Sequence, residues 1–240
     1  DQRCALPVSK LKIGLKCGGS DGLSGITANP LCGRVTDRLA AMGGSAVLTE
    51  VPEMFGAEQL LMNRCTSQEV FDRAVRLINN YKNYFLDHHQ PVSENPSPGN
   101  KAGGITTLEE KSLGCVQKGG TAPITAVLDY GDRVTEPGLS LLGGPGNDMV
   151  AVTNLCAAGC HLILFTTGRG TPLGAPVPTI KIATNTALAK KKPGWIDLDA
   201  QTAATDDLFN LILRTANGQE TQNERHGYRD IAIFKDGVTL

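Results

Sequence analysis

Short apolar segments of strand length alternate with longer amphipathic segments along most of this chain. The strand-like segments are residues 11–15, 45–49, 139–142, 161–165, 179–183 and 231–234. The helix-like segments are residues 31–42, 67–85, 107–118, 147–158 and 205–216. Alternation of this kind is typical of βαβ units. It predicts an α/β fold in which a largely parallel sheet is flanked by helices in a Rossmann-like, three-layer arrangement.

The longest segment without a regular pattern is residues 87–106, whose centre is rich in Pro, Gly, Asn and Ser. A segment of this length is functional, mobile or a linker between two domains. Neither flank has the pattern of a unit that folds alone. We therefore expect residues 1–240 to form a single domain.

The charge and composition exclude some classes of function. The net charge is -1, so no electrostatic attraction to nucleic acid or to an anionic membrane is expected. No apolar segment reaches the length of a transmembrane helix. The seven cysteines are odd in number and scattered, which favours reduced thiols and a cytoplasmic location.

Chemically active side chains follow or end five of the predicted strands. They are Cys17 and Asp21, then Glu50 and Glu53, then Asp148, then Thr166, Thr167 and Arg169, and finally Lys181. In open parallel sheets, ligands bind outside the carboxyl ends of the strands. If all five strands are parallel, these side chains lie along one edge of the sheet.

Residues 165–172 form the most informative of these segments. Two threonine hydroxyls, free backbone N–H groups and one guanidinium suit a carboxylate or a phosphate. The alternative is an ordinary exit from a strand with a surface arginine. Lys101 and Arg169 are the strongest cationic candidates, because glycine-rich segments present them without crowding.

The other candidates also have structural interpretations. Cys17 with Asp21 suits a metal ion, but Cys17 alone suits a small buried site, and Asp21 and Asp148 each suit a helix cap. The glycine-rich segments suit phosphate binding. Neither G-x-G-x-x-G nor G-x-x-x-x-G-K-[ST] follows a predicted strand, however, which argues against nucleotide binding.

Six separate motifs occur in order along the chain. They lie at residues 17–30, 53–58, 95–104, 110–114, 165–172 and 177–184. On these motifs the chain resembles the C-terminal part of the altronate dehydratase and galactarate dehydratase family, from about Leu11 to the C terminus. Residues 145–148 and 231–240 are more similar to the altronate branch.

The resemblance implies loss of water from a sugar acid, with D-altronate becoming 2-dehydro-3-deoxy-D-gluconate. Galactarate and sulfolactate are the alternative substrates in the same family, and a non-catalytic interface domain is the alternative role. The resemblance also implies a divalent iron or manganese-like ion. It further implies an N-terminal domain and a middle segment that precede this region as partners, so we expect an excised C-terminal domain. A homo-oligomer is left open.

Dehydration removes the proton next to a carboxylate and expels the neighbouring hydroxyl, so the enediolate must be held by a metal or by cations. On the resemblance, Arg169 binds the substrate carboxylate, with Thr166 and Thr167 donating hydrogen bonds. Lys101 serves the enediolate or proton transfer. Cys17, Asp21 and Glu53 are the candidate metal ligands, and Glu53 is also assigned as a catalytic residue. Orientation of the substrate is assigned to Asn100, Asp148 and Lys181.

Overall fold

The computed structural model describes residues 4–239, so residues 1–3 and Leu240, which the single-domain prediction and the C-terminal motif include, lie outside the described residues. The strands are β1 (Lys12–Cys17), β2 (Ser45–Leu48), β3 (Ile124–Leu128), β4 (Gly138–Leu142), β5 (Leu162–Thr167), β6 (Thr179–Ala183) and β7 (Leu198–Asp199). They form one sheet in the order β3-β4-β2-β1-β5-β6-β7, and every pair is parallel. The predicted α/β fold is confirmed.

Helices connect the strands and cover the sheet. They are α1 (Ala28–Ala41), α2 (Glu58–Met62), α3 (Gln68–Asp87), α4 (Pro98–Ala102), α5 (Leu108–Val116), α6 (Asp148–Ala157), α7 (Thr186–Lys191), α8 (Thr205–Ala216) and α9 (Gln222–Arg225). Short 3-10 turns lie at Val8–Lys10, Val51–Met54 and Gln117–Gly119. Within residues 4–239, none of the helices has the length and hydropathy that a transmembrane span requires.

Helix starts follow ordinary capping chemistry. The side-chain oxygens of Ser67, Thr107 and Asn147 accept hydrogen bonds from the backbone N–H groups at the third positions of α3, α5 and α6. These bonds satisfy donors that the helix itself leaves without partners. Asn147, and not the neighbouring Asp148, caps α6, which leaves the Asp148 carboxylate available for other contacts.

β1 lies at the centre of the sheet, and its two faces pack against different helices. Ile13 and Leu15 point to the larger core cluster, which includes residues of α1. Gly14 points to the other face, where an added Cβ would lie 3.0 Å from the Leu155 Cδ1 atom of α6. The absence of a side chain at Gly14 therefore lets α6 approach β1 closely.

Two expectations need correction. Residues 231–234 form no strand; their backbone is held by side chains, with Thr153 Oγ1 accepting from the Ala232 N–H at 3.0 Å. High strand propensity does not make a strand where no neighbouring strand supplies a ladder. Residues 87–106 are not wholly irregular, because α4 lies within them.

Candidate active site at the carboxyl edge of the sheet

A cleft of about 310 Å³ lies at the carboxyl ends of β1 and β5. Its walls are formed by Cys17, Gly18, Gly19, Glu53, Asn95, Ser97, Asn100, Lys111, Gly146, Asn147, Asp148 and Arg169. The chain runs from β1 to β2 on one side and later returns with β5 on the other side. The cleft therefore occupies the topological switch point of the sheet, where α/β proteins bind ligands.

Three potential metal ligands meet beside this cleft. Cys17 ends β1, Glu53 lies in the 3-10 turn after β2, and Cys115 comes from α5. The Glu53 Oε2 atom lies 3.1 Å from the Cys17 Sγ atom and 2.8 Å from the Cys115 Sγ atom. The two Sγ atoms are 3.5 Å apart. All three residues are buried, and one donor atom from each could bind a single ion.

This set of donors fits a divalent metal of intermediate softness. Two thiols and one carboxylate suit iron or zinc better than manganese, because manganese prefers oxygen ligands. Three protein ligands leave further coordination positions open for a substrate, as catalytic sites require.

Three buried lysines surround the ligand group. Lys111 Nζ lies 2.8 Å from a Glu53 oxygen, and Lys118 Nζ lies 3.0 Å from a Glu50 oxygen. Lys16 Nζ lies 2.8 Å from Asp148 and also pairs with Glu50. Buried charges are tolerated only when they are paired in this way. The pairs create a strongly polar centre under the cleft.

The neighbouring charges also determine which thiol ionises. A hydrogen bond from Cys115 lowers the pKa of Cys17 to about 5, with Lys118 and Lys111 acting in the same direction against the effect of burial. The same hydrogen bond, together with burial, raises the pKa of Cys115 well above its ordinary value. The shared hydrogen bond therefore favours the thiolate on Cys17 over Cys115, although the nearby Glu53 carboxylate opposes it. The thiolate is the form of cysteine that binds metals.

The carboxylates of Glu53 and Glu50 respond differently to their surroundings. Burial alone would raise the pKa of Glu53, but Lys111 and Lys118 hold it below its usual range. For Glu50, burial and the neighbouring Cys17 and Glu53 raise the pKa, and the ion pairs with Lys118 and Lys16 oppose this rise. Burial would lower the pKa of Lys16, yet the Asp148 and Glu50 carboxylates raise it, so this ammonium keeps its charge. Because Lys111 and Lys118 keep the pKa of Glu53 low, Glu53 is available as an ionised ligand.

Glu50 combines burial with an unusual backbone conformation. Its φ of 70° lies in the left-handed region, which costs a non-glycine residue about 1–2 kcal/mol. Its Oε1 atom accepts a hydrogen bond from the Cys17 N–H at 3.1 Å. Glu50 thus joins the end of β1 to two lysines, which fixes the backbone that carries Cys17.

Three more of the predicted residues line the same cleft. Asn100 Nδ2 donates to the Ser20 carbonyl oxygen at 3.0 Å, which ties α4 to the loop after β1. Asp148 lies at the start of α6. Arg169 is exposed at the cleft, and an added Cβ at Gly99 would overlap its guanidinium, so α4 and Arg169 are in close contact.

Asp21 and the two threonines are engaged in internal hydrogen bonds. Asp21 lies outside the group formed by Cys17, Glu53 and Cys115, and its Oδ2 atom accepts from Thr184 Oγ1 at 2.9 Å. Thr166 Oγ1 donates to the Asn29 side chain at 2.7 Å. Thr167 Oγ1 accepts from the Gly170 N–H at 2.9 Å. These contacts shape the loops after β1 and β5 around the cleft.

The remaining two predicted lysines do not line the cleft. Lys181 is buried, and its Nζ donates to the carbonyl oxygens of Thr171 at 2.7 Å and Leu173 at 2.5 Å. Lys101 lies in α4 with an exposed side chain. The structure thus brings Cys17, Glu53, Asn100, Asp148 and Arg169 together, and it places the other predicted residues elsewhere.

The sequence prediction missed four contributors to this centre: Lys16, Lys111, Cys115 and Lys118. A signal was present for three of them. Positions 111, 115 and 118 follow helical spacing and lie on one face of a helical segment. Two lysines and one cysteine on the buried face of a helix indicate a binding or catalytic site, because lysines are almost never fully buried unless they are paired.

Residues 8–239 match the family model described as D-galactarate/Altronate dehydratase, C-terminal. The chain is 58% identical over 249 residues to altronate dehydratase of Bacillus subtilis and 57% identical over 248 residues to that of Escherichia coli. Each comparison covers 100% of this chain and 50% of the relative.

Galactarate dehydratase (L-threo-forming) of Escherichia coli is more distant, at 40% identity over 245 residues, which are 97% of this chain and 47% of that protein. The chain therefore spans about half the length of these relatives. The fold, the match over almost every residue and the identities agree that this chain belongs to the D-galactarate/altronate dehydratase family.

Proposed function

We propose that this chain forms the catalytic region of a hydro-lyase that converts D-altronate into 2-dehydro-3-deoxy-D-gluconate and water. The observation that carries the proposal is the group of Cys17, Glu53 and Cys115 beside a cleft that also contains Lys111 and Arg169. Altronate is favoured over galactarate because the chain is 58% identical to an altronate dehydratase and 40% identical to a galactarate dehydratase.

The reaction explains why such groups are needed. The proton next to a carboxylate is weakly acidic, so positive charge must stabilise the enediolate that forms. Arg169 is our candidate for the substrate carboxylate, because its guanidinium offers a bidentate fork at an exposed position of the cleft. Asn100 and Asp148 are proposed to orient the hydroxyl groups.

Lys111 is the strongest structural candidate for the cation near the enediolate, since it is buried and lines the cleft. The assignment of Lys101 to proton transfer stays a prediction, as do the roles of Thr166, Thr167 and Lys181 in substrate binding and of Asp21 in metal binding.

Divalent iron is the metal that we propose. Cys17, Glu53 and Cys115 would hold it, and when bound it would act as a Lewis acid towards a substrate oxygen. Lys111 pairs with Glu53 at 2.8 Å and thereby keeps this carboxylate ionised and oriented. Glu50 fixes the Cys17 backbone through a hydrogen bond of 3.1 Å.

The partners follow from the same proposal. The small-molecule partner is a sugar acid, and the protein partners are the N-terminal and middle segments implied by the family resemblance. All seven cysteines are free thiols, which supports a reducing compartment such as the cytoplasm.

The metal assignment can be tested in the full-length protein that carries this region. Cys17→Ser and Cys115→Ser each remove one soft ligand, so we expect iron content and turnover of altronate to fall at least about tenfold. Cys65→Ser is the matched control, because Cys65 lies outside the ligand group. Full iron content and turnover in both ligand variants would refute the proposed site.

A further inference from the structure

A second cavity, of about 470 Å³, lies at the carboxyl ends of β3 and β4. It shares no lining residue with the cleft at β1 and β5. One wall comes from α3, and another comes from Tyr130 and from Phe234 in the C-terminal segment. Its volume falls in the range of pockets that bind small molecules.

Two arginines of α3 line this cavity. Arg73 and Arg76 are three positions apart on α3, so both lie on the same side of the helix. Among residues 4–239, neither forms an ion pair or a hydrogen bond. Arg38 and Arg64, by contrast, bind Asp206 and the Ala122 carbonyl oxygen. Two free guanidinium groups at a cavity are suited to one anionic group.

The cavity also presents groups that suit hydroxyls. Asn80 and the Asp129 carboxylate line it, and in the described part of the chain neither side chain has a partner. A carboxylate beside the arginines disfavours a ligand that is only an anion. It favours a ligand whose hydroxyl groups donate to Asp129 while its anionic group binds the arginines.

A third observation is independent of these charges. The Tyr81 hydroxyl is buried and has no hydrogen-bond partner within residues 4–239. A buried hydroxyl without a hydrogen bond costs about 1–3 kcal/mol. A ligand that forms this hydrogen bond would remove the cost. The rings of Tyr130 and Phe234, whose centroids are 5.1 Å apart, add an aromatic surface of the kind that packs against the C–H faces of a sugar.

We propose that this second cavity binds a polyhydroxylated organic anion, a sugar acid or a sugar phosphate, through Arg73 and Arg76 at the anionic group and Asp129 and Asn80 at the hydroxyls. The site is distinct from the proposed active site, so its occupancy does not depend on the metal.

Isothermal titration of the full-length protein tests this proposal. The probes are gluconate, glucose 6-phosphate and inorganic phosphate. We expect one of the two sugar anions to bind and to do so more tightly than inorganic phosphate. The stronger of the two identifies the class of ligand. No binding of either sugar anion at millimolar concentration, or equal affinity for inorganic phosphate, would overturn the proposal.

Variants locate the binding. Arg73→Gln/Arg76→Gln is expected to weaken it at least about tenfold, because two charge-assisted contacts are lost. Arg225→Gln/Arg229→Gln removes the same charge from two exposed positions and should leave affinity unchanged. Unchanged affinity in the first variant would refute the site. If that variant does not fold, Arg76→Gln alone, at an exposed position, must show a severalfold loss.

The variant Cys115→Ser separates this proposal from the proposed dehydratase function. We expect Cys115→Ser to lose turnover and to keep full affinity for the sugar anion. Loss of binding in Cys115→Ser would show that the probe occupies the active site, and the second site would then be abandoned.

Discussion

Arg169 is a residue of the cleft whose role in binding can be tested without changing the stability of the core. It is exposed, so its replacement should barely change the melting temperature. Arg169→Lys keeps the charge but loses the bidentate fork, so we expect kcat/KM of the full-length protein for altronate to fall roughly 10- to 150-fold. Arg229→Lys is the matched exposed control. Unchanged kinetics in Arg169→Lys and Arg169→Ala would show that the carboxylate binds elsewhere.

Lys181 gives a prediction about pH. Burial lowers its pKa from 10.5 to about 8. As the pH rises, the Lys181 ammonium therefore loses its proton at a lower pH in the folded chain than in the unfolded chain. Between about pH 8 and 10.5 the unfolded state binds the extra proton. The contribution of Lys181 to stability therefore rises with pH, by up to about 3 kcal/mol.

Lys181→Met removes this dependence. We expect the difference in unfolding free energy between wild type and Lys181→Met to grow in favour of wild type as pH rises from 8 to 10. Urea denaturation at several pH values measures it. Lys101→Met, at an exposed position, is the control. A difference that stays constant with pH would mean that the proton is not released on folding.

The residues of the site differ in how well the sequence predicts them. Cys17 and Glu53 could be found because each lies close to the end of a strand, where the topology alone places them. Cys115 and Lys111 reach the site on α5, and only the packing of that helix against Val51–Met54 brings them there. For Lys101, the glycine-rich sequence predicts that the side chain is exposed. It does not predict whether that side chain lines the cleft, and the structure shows that it does not.

At the scale of elements, the contact between α1 and the turn at Gln117–Gly119 positions Lys118. An added Cβ at Gly33 would overlap the Gln117 carbonyl oxygen, and it would lie 3.0 Å from the Gly120 Cα atom. Since backbone atoms must move to relieve this overlap, we expect Gly33→Ala to destabilise the chain by about 1–3 kcal/mol. Gly22→Ala meets only ordinary contacts and is the control. Equal unfolding midpoints for the two variants would contradict the packing argument.

The elements that the sequence predicts best are those with long periodic patterns. α3, with 20 residues and a serine cap, was predictable from its apolar face. β3 was missed because it is an edge strand of five residues with a register irregularity. α4 has five residues and begins with Pro98. A proline in so short a segment is equally typical of a turn. Residues 231–234 were wrongly predicted as a strand, because a high strand propensity does not ensure that a neighbouring strand is present to pair with.

At the scale of the whole molecule, the interior is unusual in its charge. Lys16, Lys111 and Lys118 are almost fully buried together with Glu50 and Glu53 at the carboxyl edge of a sheet that is otherwise covered by apolar clusters. Replacing such paired charges by apolar residues is often neutral or stabilising. Their presence therefore favours a role in binding or chemistry over a role in stability.

The final prediction concerns how this region behaves by itself. Its sheet and its two main core clusters are formed within residues 4–239, so we expect the 240-residue chain to unfold in one cooperative thermal transition. Elimination of water also needs a site that excludes bulk solvent and holds the substrate in place. The relatives are about twice as long, and we expect their other half to provide that enclosure.

We therefore expect the isolated chain to form keto acid from altronate at least about 100-fold more slowly than the full-length protein, since a misplaced substrate alone costs that factor. Keto-acid formation and thermal unfolding should be measured on both, with iron supplied at equal concentration. A folded chain that turns over altronate as fast as the full-length protein would show that residues 1–240 contain the complete active site. An unfolded chain would instead show that the other half is needed for folding, because a slow rate then reflects lost structure and not an open cleft.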